Sequence, residues 1–456
     1  MDRNRRPWLR WLLTRLLVAG AVYAVLYAGL SWHLRAATER ELEWFADQGL
    51  TVHAEKLPKP ECKPEEDAGP LWRAAAEMIA ADGLGARLRD WPDEVELLNG
   101  TLVRTDESDR GLTPDELAEL KGLVTKHQRI LDLLREAAGR PGYDSPLDYR
   151  EGFTLELPHL ADAMDLSRLA RLAAELAASE GDTTAAEDRW IAGCALARWT
   201  SGEPCLVCQL VALRIEGVVC DSIERSIASA DFTDTQLARL QAALDAPCSP
   251  REQLLLALQG EIAMYTTITR NWLGEMPPDA ADLTGPGAAR FHGPSRLWLR
   301  ADQLACLRYY RRYLEALKDA PLPHRVSSKG MIEQIPWYAL ITRILVPSLD
   351  NLFTEMTRFQ ARRRVARWGI ALRRHKLRAG SYPDTLDGLA AELRSDLPEP
   401  VDPFTAKPLV YRRAGDGLLL YSLGPNMTDD AGLGRKDATP GATVPPPDDV
   451  AFGLSR

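Results

Sequence analysis

The amino-acid sequence predicts a mainly α-helical protein with an N-terminal transmembrane helix, an array of helical hairpins and a small C-terminal α+β module. Three observations predict this fold class. Residues 16–34 form one long apolar run without Asp, Glu, Lys or Arg. Apolar residues recur at three- and four-residue spacing through the middle of the chain, which is the period of a helix. Two β-prone runs flank a glycine-containing turn near the C-terminus.

The apolar run is long enough to cross a lipid bilayer. Nineteen helical residues span roughly 28 Å, close to the thickness of the hydrocarbon core. Trp8, Trp11 and Trp32 lie where the aromatic belts of a membrane helix are found. We therefore expect residues 16–34 to form a transmembrane helix whose partner is the lipid bilayer.

The charges on the two sides of the run predict its orientation. Five arginines precede it within the basic lead of residues 1–15, whereas the residues after it mix arginine with glutamate. By the positive-inside rule the N-terminus is cytoplasmic and the bulk of the chain is extracytoplasmic. A cleaved signal peptide is the alternative, but its apolar region normally has about 7–15 residues and is followed by small residues. Arg35 stands close to the expected cleavage position, so we expect an uncut anchor.

The net charge of −9 argues against a nucleic-acid-binding surface. One basic cluster does occur in residues 362–374, on a strong helical pattern. We interpret this cluster as a solvated helix face, with binding to anionic lipid or to a partner as the alternative. The seven cysteines are an odd number, so disulfides within the chain would leave at least one of them unpaired.

The middle of the chain predicts seven helices, over residues 157–178, 185–199, 206–227, 237–244, 254–272, 297–317 and 335–377. Four pairs have the spacing of a capping box, in which two side chains bond the free backbone groups of a helix start: Thr113 with Glu116, Thr184 with Glu187, Thr233 with Gln236, and Ser249 with Glu252. Pro336 and Pro347 are expected to interrupt the last helix, because proline lacks the backbone donor.

One helical hairpin, at residues 165–200, resembles a single tetratricopeptide-type hairpin. Small residues lie where its two helices would cross, and Gly181-Asp182 forms the turn. An ordinary antiparallel helix pair is the alternative.

Residues 90–111 and 139–152 are predicted to be irregular. We divide the chain after the anchor into a membrane-proximal helix with a proline-rich linker (35–70), an extracytoplasmic helical domain (71–379) and an α+β module (380–456).

The α+β module contains two β-prone runs around Gly415-Asp416-Gly417, a pattern that predicts a β-hairpin. Val450, Phe452 and Leu454 then alternate with other residues at the period of a strand. Because an isolated hairpin is only marginally stable, we expect this segment to pair with the hairpin as a third strand, with the loop before it lying over residues 426–430. A disordered tail is the alternative, since three prolines precede the segment.

Several short motifs follow one another in this module: Tyr382-Pro383, Asp402-Pro403-Phe404, Pro408-Leu409-Val410-Tyr411, Tyr421-Ser422-Leu423-Gly424 and an acidic loop. In this order they resemble the C-terminal half of the type II secretion major pseudopilins, over residues 380–435. The resemblance implies that the acidic loop binds calcium, with Asn426, Asp429 and Asp430 as ligands. Calcium prefers hard oxygen ligands of this kind. The alternative is an Asx-rich turn that bonds its own backbone.

The chain departs from a pseudopilin in two respects. Its apolar helix lacks the Gly-Phe-Thr-Leu lead that prepilin peptidase cuts, and the similar Gly152-Phe153-Thr154-Leu155 lies in mid-chain with no apolar run after it. A helical segment of about 300 residues also separates the anchor from the module. The whole chain is more similar to uncharacterised single-pass bacterial membrane proteins with a pseudopilin-like tail. This resemblance implies the bacterial inner membrane as its location.

No motif in the sequence predicts a reaction. There is no HExxH, GxSxG or GxxxxGK[ST] sequence. Cys205 and Cys208 form a lone CxxC, which a redox pair or half a zinc site could use, but buried apolar cysteines are the default. We therefore expect a scaffold or interaction protein with unknown protein partners and no cofactor other than the calcium above. The alternative is an enzyme with a dispersed site in the helical domain; a deep pocket lined by convergent Asp, Glu, His or Cys would favour it, and a long apolar or charged groove would favour the scaffold.

Overall fold

The computed structural model describes residues 7–58, 62–90, 95–98, 100–104, 110–245, 250–275, 291–319, 329–345, 349–434, 437 and 446–454. Fifteen α-helices lie in this part of the chain: α1 (Pro7–Asp47), α2 (Gly69–Ala81), α3 (Leu84–Asp90), α4 (Pro114–Lys126), α5 (Gln128–Ala138), α6 (Pro158–Ser179), α7 (Thr183–Ser201), α8 (Leu206–Ser229), α9 (Asp234–Ala243), α10 (Pro250–Trp272), α11 (Pro294–Asp319), α12 (Lys329–Glu333), α13 (Leu340–Leu345), α14 (Leu349–Ala379) and α15 (Ala391–Arg394).

The five strands of the described residues form two antiparallel sheets. β1 (Val95–Leu98) pairs with β2 (Thr101–Arg104), and β3 (Val410–Ala414), β4 (Gly417–Ser422) and β5 (Val450–Leu454) form a sheet in that order. The protein is mainly helical (67%), so the predicted fold class is confirmed. The expectation of an irregular segment over residues 90–111 is wrong, because residues 95–98 and 101–104 form a hairpin that packs against α6 and α8 and buries Val95, Leu97 and Leu102.

α1 is the one helix among the described residues that is long and apolar enough to cross a membrane. Its apolar stretch is exposed, while its last turns are buried in the body of the protein, with Ala37 at 3% and Phe45 at 0% exposure. The helix runs without a break from Pro7 to Asp47, so the exposed apolar stretch and the buried last turns belong to one element.

α6 and α7 form the predicted hairpin. Gly181 has a φ of 80°, a left-handed conformation that favours glycine, and it closes the turn between the two helices. The predicted capping box of Thr184 and Glu187 is wrong: α7 begins earlier, because the Asp182 side chain caps it by accepting from the N–H of Ala185 at 3.0 Å. The capping boxes at Thr113 and Thr233 are confirmed, and Ser249 lies outside the described residues.

The irregular stretch before α13 contains Pro336, as predicted, whereas Pro347 lies outside the described residues. The basic cluster of residues 362–374 is not a solvated helix face. Four of its six arginines bind carboxylates of neighbouring segments: Arg362 with Asp221 and Glu224 of α8, Arg363 with Glu216 of α8, Arg367 with Asp245 after α9, and Arg374 with Asp234 of α9. These ion pairs hold α14 in the centre of the helical body.

The third strand of the C-terminal sheet is confirmed. β5 pairs with β4 in antiparallel register, with Phe452 opposite Leu420. Most of the loop before β5 lies outside the described residues, so its predicted position over residues 426–430 stays a prediction. One apolar core runs from Trp72 of α2 to Leu454 of β5, so the predicted domains at 71–379 and 380–456 share a core.

Candidate functional site

A groove of about 660 Å³ opens between α2, the start of α6 and the segment that joins α5 to α6. Asp67 positions one wall, because its carboxylate accepts from the N–H of Gly69 at the start of α2 (2.7 Å) and from the N–H of Asp144 (3.0 Å). The other wall begins where Pro158 starts α6. The volume is typical of sites that bind small molecules or peptide side chains.

The floor of the groove is aromatic. Trp72 of α2 lies 4.9 Å from Tyr143 and 6.1 Å from His159, measured between ring centroids. Trp199 of α7 stacks behind Trp72 at 6.2 Å. Both Trp72 and Tyr143 are buried, and burial raises the pKa of Tyr143 above its ordinary value. Little of either ring is exposed, so the less buried Ala80 and Leu155 complete the apolar surface on which an apolar or aromatic group can pack.

The rim of the groove is acidic. Five carboxylates and one guanidinium line it: Glu77, Asp148, Glu151, Glu156, Asp162 and Arg73. Glu77 and Glu156 are exposed, while burial and the neighbouring Asp165 raise the pKa of Asp162. An apolar floor below a negative rim suits a ligand that combines an apolar group with a positive charge.

His159 is the one imidazole that lines this groove. No described residue bonds to its Nε2, which is buried. Burial also lowers the pKa of His159, so the ring is neutral at neutral pH. Asp162 follows three residues later on the same face of α6. The groove thus contains a neutral imidazole near a carboxylic acid whose pKa is raised, a combination that can serve either ligand binding or proton transfer.

A buried polar cluster lies behind the groove. The hydroxyl of Tyr149 donates to the carboxylate of Glu203. Two residues after Glu203, Cys205 precedes the first residue of α8. A hydrogen bond between the thiols of Cys205 and Cys208, together with burial, raises the pKa of Cys208. All described cysteines are free, and both members of the CxxC are buried. The redox or zinc role of this pair stays a hypothesis.

The acidic C-terminal loop is held by hydrogen bonds. The amide of Asn426 donates to Asp430 (2.8 Å), which also accepts from the N–H of Asp448 (2.8 Å). Asp429 accepts from Tyr421 (2.8 Å) and pairs with Arg412 (3.2 Å). Among the described residues no group of three or more His, Cys, Asp or Glu is arranged to hold a metal ion. The calcium site at Asn426, Asp429 and Asp430 stays a prediction.

A second cavity, of about 580 Å³, lies between α8, α14 and the C-terminal sheet. Its charged lining is largely occupied by internal ion pairs, for example Arg362 with Asp221 and Arg358 with Asp448. Burial raises the pKa of Asp449 in this lining to about 6, although the N–H groups of Asp430 and Gly432 bond to its carboxylate.

No pattern in the sequence predicts the groove. Its residues come from three separate segments around residues 72–80, 143–151 and 155–162, and none of these segments contains a recognisable motif. The available signal is a concentration of acids and prolines between residues 144 and 162, which spans the predicted irregular stretch 139–152 and the start of the predicted helix 157–178. No protein-family model, curated protein or solved structure matches this chain.

Proposed function

We propose that this chain is a membrane-anchored extracytoplasmic binding protein whose groove takes a cationic, partly apolar segment of a protein partner. The observation that carries the proposal is the aromatic floor of Trp72 and Tyr143 below an acidic rim. An extended peptide with a basic residue next to an aromatic or large aliphatic residue matches both features. The floor accommodates the apolar side chain, and the rim attracts the charge.

The anchor is α1. Its exposed apolar stretch, the arginine-rich lead and the burial of Phe45 in the body support an uncut transmembrane helix with a cytoplasmic N-terminus. The pseudopilin-like motifs support a location in the bacterial inner membrane and a role beside secretion or envelope machinery.

A phosphatase reporter fused after Arg456 should be active, and a fluorescent reporter that folds only in the cytoplasm should stay dark there. The reverse pattern would refute the orientation. Intact-mass analysis should show a chain that prepilin peptidase has not cut.

The groove can be tested with peptides. A random peptide library is panned against the full chain in lipid nanodiscs, with empty nanodiscs as the background. We expect enrichment of sequences that place Lys or Arg beside Trp, Phe or Leu. An enriched peptide should bind more weakly at high salt, because counter-ions screen the rim.

The matched variants are Glu77→Gln and Glu156→Gln on the rim, with Glu119→Gln on α4 as the control. All three glutamates are exposed, but Glu119 lies outside the groove. Together the two rim variants should weaken binding about three- to tenfold, as expected for partly solvated charge pairs. The control should bind like the wild type. Enrichment of acidic peptides, or equal binding by all variants, would argue against the groove as the binding site.

An enzyme remains the second candidate because His159 and Asp162 both line the groove, and no described residue bonds to the buried Nε2 of His159. A neutral imidazole beside an acid of raised pKa can move a proton to or from a bound substrate. The test is a panel of chromogenic ester, glycoside and phosphate substrates with His159→Gln and, as the control, His375→Gln on α14. Turnover that is lost only in His159→Gln would favour the enzyme. Turnover that is absent or insensitive to His159 would leave the binding protein as the better conclusion.

A further inference from the structure

A patch of exposed apolar side chains lies at α13 and just before it. Trp337 is 80% exposed, Leu340 is 55% exposed and Ile344 is 79% exposed. Large apolar side chains clustered in this way usually mark a contact with another molecule or with lipid. Arg343 is also exposed and stands next to Ile344.

The contacts between α1 and α11 show which residues of α1 lie at the same level as this patch along the helix axis. The hydroxyl of Tyr27 donates to the carbonyl of Gly293, one residue before α11 begins, at 3.2 Å. Farther along, Glu41 of α1 bonds to Arg308 (3.4 Å) and Arg311 (3.3 Å) of α11. The N-terminal contact of α11 is therefore with an earlier residue of α1 than its later contacts are. The two helices run parallel.

The patch is fixed to the first turns of α11. The indole N–H of Trp298 donates to the carbonyl of Tyr338 at 2.7 Å. The carboxylate of Asp302 accepts from the N–H of Ile341 (3.0 Å) and of Thr342 (3.1 Å), which caps α13. The position of the patch is therefore set by the start of α11.

This position matches the edge of a bilayer that surrounds α1. Trp298 follows Gly293 by five residues, about 8 Å of helix, and Trp32 follows Tyr27 by the same number. The transmembrane helix over residues 16–34 ends two residues after Trp32, so Trp298 and the patch bound to it lie near the extracytoplasmic end of that helix. The patch then lies at the membrane–water interface, where Trp and Tyr are enriched.

We propose that residues 337–344 dock into the lipid interface of the bilayer that α1 crosses, so that the body of the protein lies on the membrane surface. The proposal rests on the anchor role of α1 given above. We identify lipid as the molecule that covers the patch because the patch lies level with Trp32. Lipid that surrounds Trp32 therefore also reaches the patch. Arg343 can bind lipid phosphates while its apolar neighbours enter the interface.

The test uses the full chain in nanodiscs, with an environment-sensitive nitrobenzoxadiazole dye on a single introduced cysteine. The sites are Ile344→Cys in the patch, Val25→Cys in α1 and Leu433→Cys in the C-terminal module, all exposed. Leu340→Cys is a second patch site in case Ile344→Cys impairs folding. Wild-type protein labelled in parallel measures the reaction of the native cysteines. Lipids with a nitroxide near the headgroup or deep in the acyl chain quench the dye by contact.

We expect the dye at residue 344 or 340 to emit at shorter wavelength than the dye at residue 433 and to be quenched by the headgroup nitroxide. The dye at residue 25 should be quenched by the deep nitroxide. If the dye at residue 25 is quenched but the patch dyes behave like residue 433, the docking proposal fails while the anchor stands. A shorter emission wavelength without quenching by either lipid means that protein covers the patch, and this also overturns the proposal. Loss of quenching at residue 25 means that the anchor itself is wrong.

Discussion

Gly369 of α14 lies directly against the ring of Phe452 of β5, so closely that a methyl group on Gly369 would overlap with the ring. Phe452 is 1% exposed, and its strand is the last of the C-terminal sheet. The absence of a side chain at one helical position is therefore what lets the C-terminal sheet pack against the centre of the helical body. This contact joins two parts of the chain that are more than 80 residues apart.

The close approach predicts that Gly369→Ala destabilises the protein. Alanine at a helix interior normally adds about 0.5–1 kcal/mol of stability, but overpacking against Phe452 costs about 1–3 kcal/mol. Gly122→Ala is the matched control, because Gly122 lies inside α4 with nothing within 4 Å of its added methyl group. Denaturant midpoints in the same detergent should fall for Gly369→Ala and rise for Gly122→Ala. A rise for both would show that the contact is looser than described.

The ion pair between Arg363 and Glu216 predicts strong coupling between α14 and α8. Their side chains are 13% and 12% exposed. Two guanidinium nitrogens of Arg363, Nε and Nη2, donate to the two carboxylate oxygens of Glu216. Arg363→Met alone should cost about 3–5 kcal/mol, because it leaves Glu216 buried without its partner. Arg363→Met with Glu216→Leu should recover most of that loss. A double-mutant cycle of unfolding free energies measures the coupling, and additive losses would contradict it.

Burial raises the pKa of Glu261 to about 7 from an ordinary value of 4.5. The folded state therefore favours the protonated form, so the stability from this group is full below pH 4.5 and is lost as the pH rises through 7. Glu261→Gln keeps an acceptor for the N–H of Leu206 but cannot ionise. Thermal unfolding should show Glu261→Gln close to wild type at low pH and more stable at pH 8. The exposed Glu333→Gln should follow the wild type at both pH values, and so would Glu261→Gln if the shift were absent.

The resemblance to pseudopilins predicts that millimolar calcium raises the unfolding temperature of the full chain, because a ligand stabilises the state that binds it. Asp430→Asn should abolish this increase, and magnesium should have a smaller effect. An unchanged unfolding temperature would leave the acidic loop as a hydrogen-bonded turn. In that case Asp430→Asn should still lower the temperature equally with and without calcium, because Asp430 accepts from Asn426 and from the N–H of Asp448.

Local signals in the sequence were enough to predict most of the elements. The apolar run predicted α1, and the capping boxes at Thr113 and Thr233 begin α4 and α9. The alternation of Val450, Phe452 and Leu454 predicted β5, whose burial alternates in the same way. Each of these signals acts over a few residues of the chain, through helix capping or through the period of a helix or strand, so no knowledge of the fold is needed to interpret it.

The groove, the interior position of α14 and the height of the patch were decided only by the tertiary structure. The period of α14 predicts a helix, but its arginines look like a solvated face until Glu216, Asp221 and Asp234 are brought against them. The aromatic floor likewise forms only when α2 and α7 pack together. Ion pairs and grooves depend on which segments meet, and contacts between residues far apart in the chain leave no periodic trace in a single sequence. The sequence by itself therefore determined most of the elements, whereas packing determined which of their faces meet one another and which stay exposed.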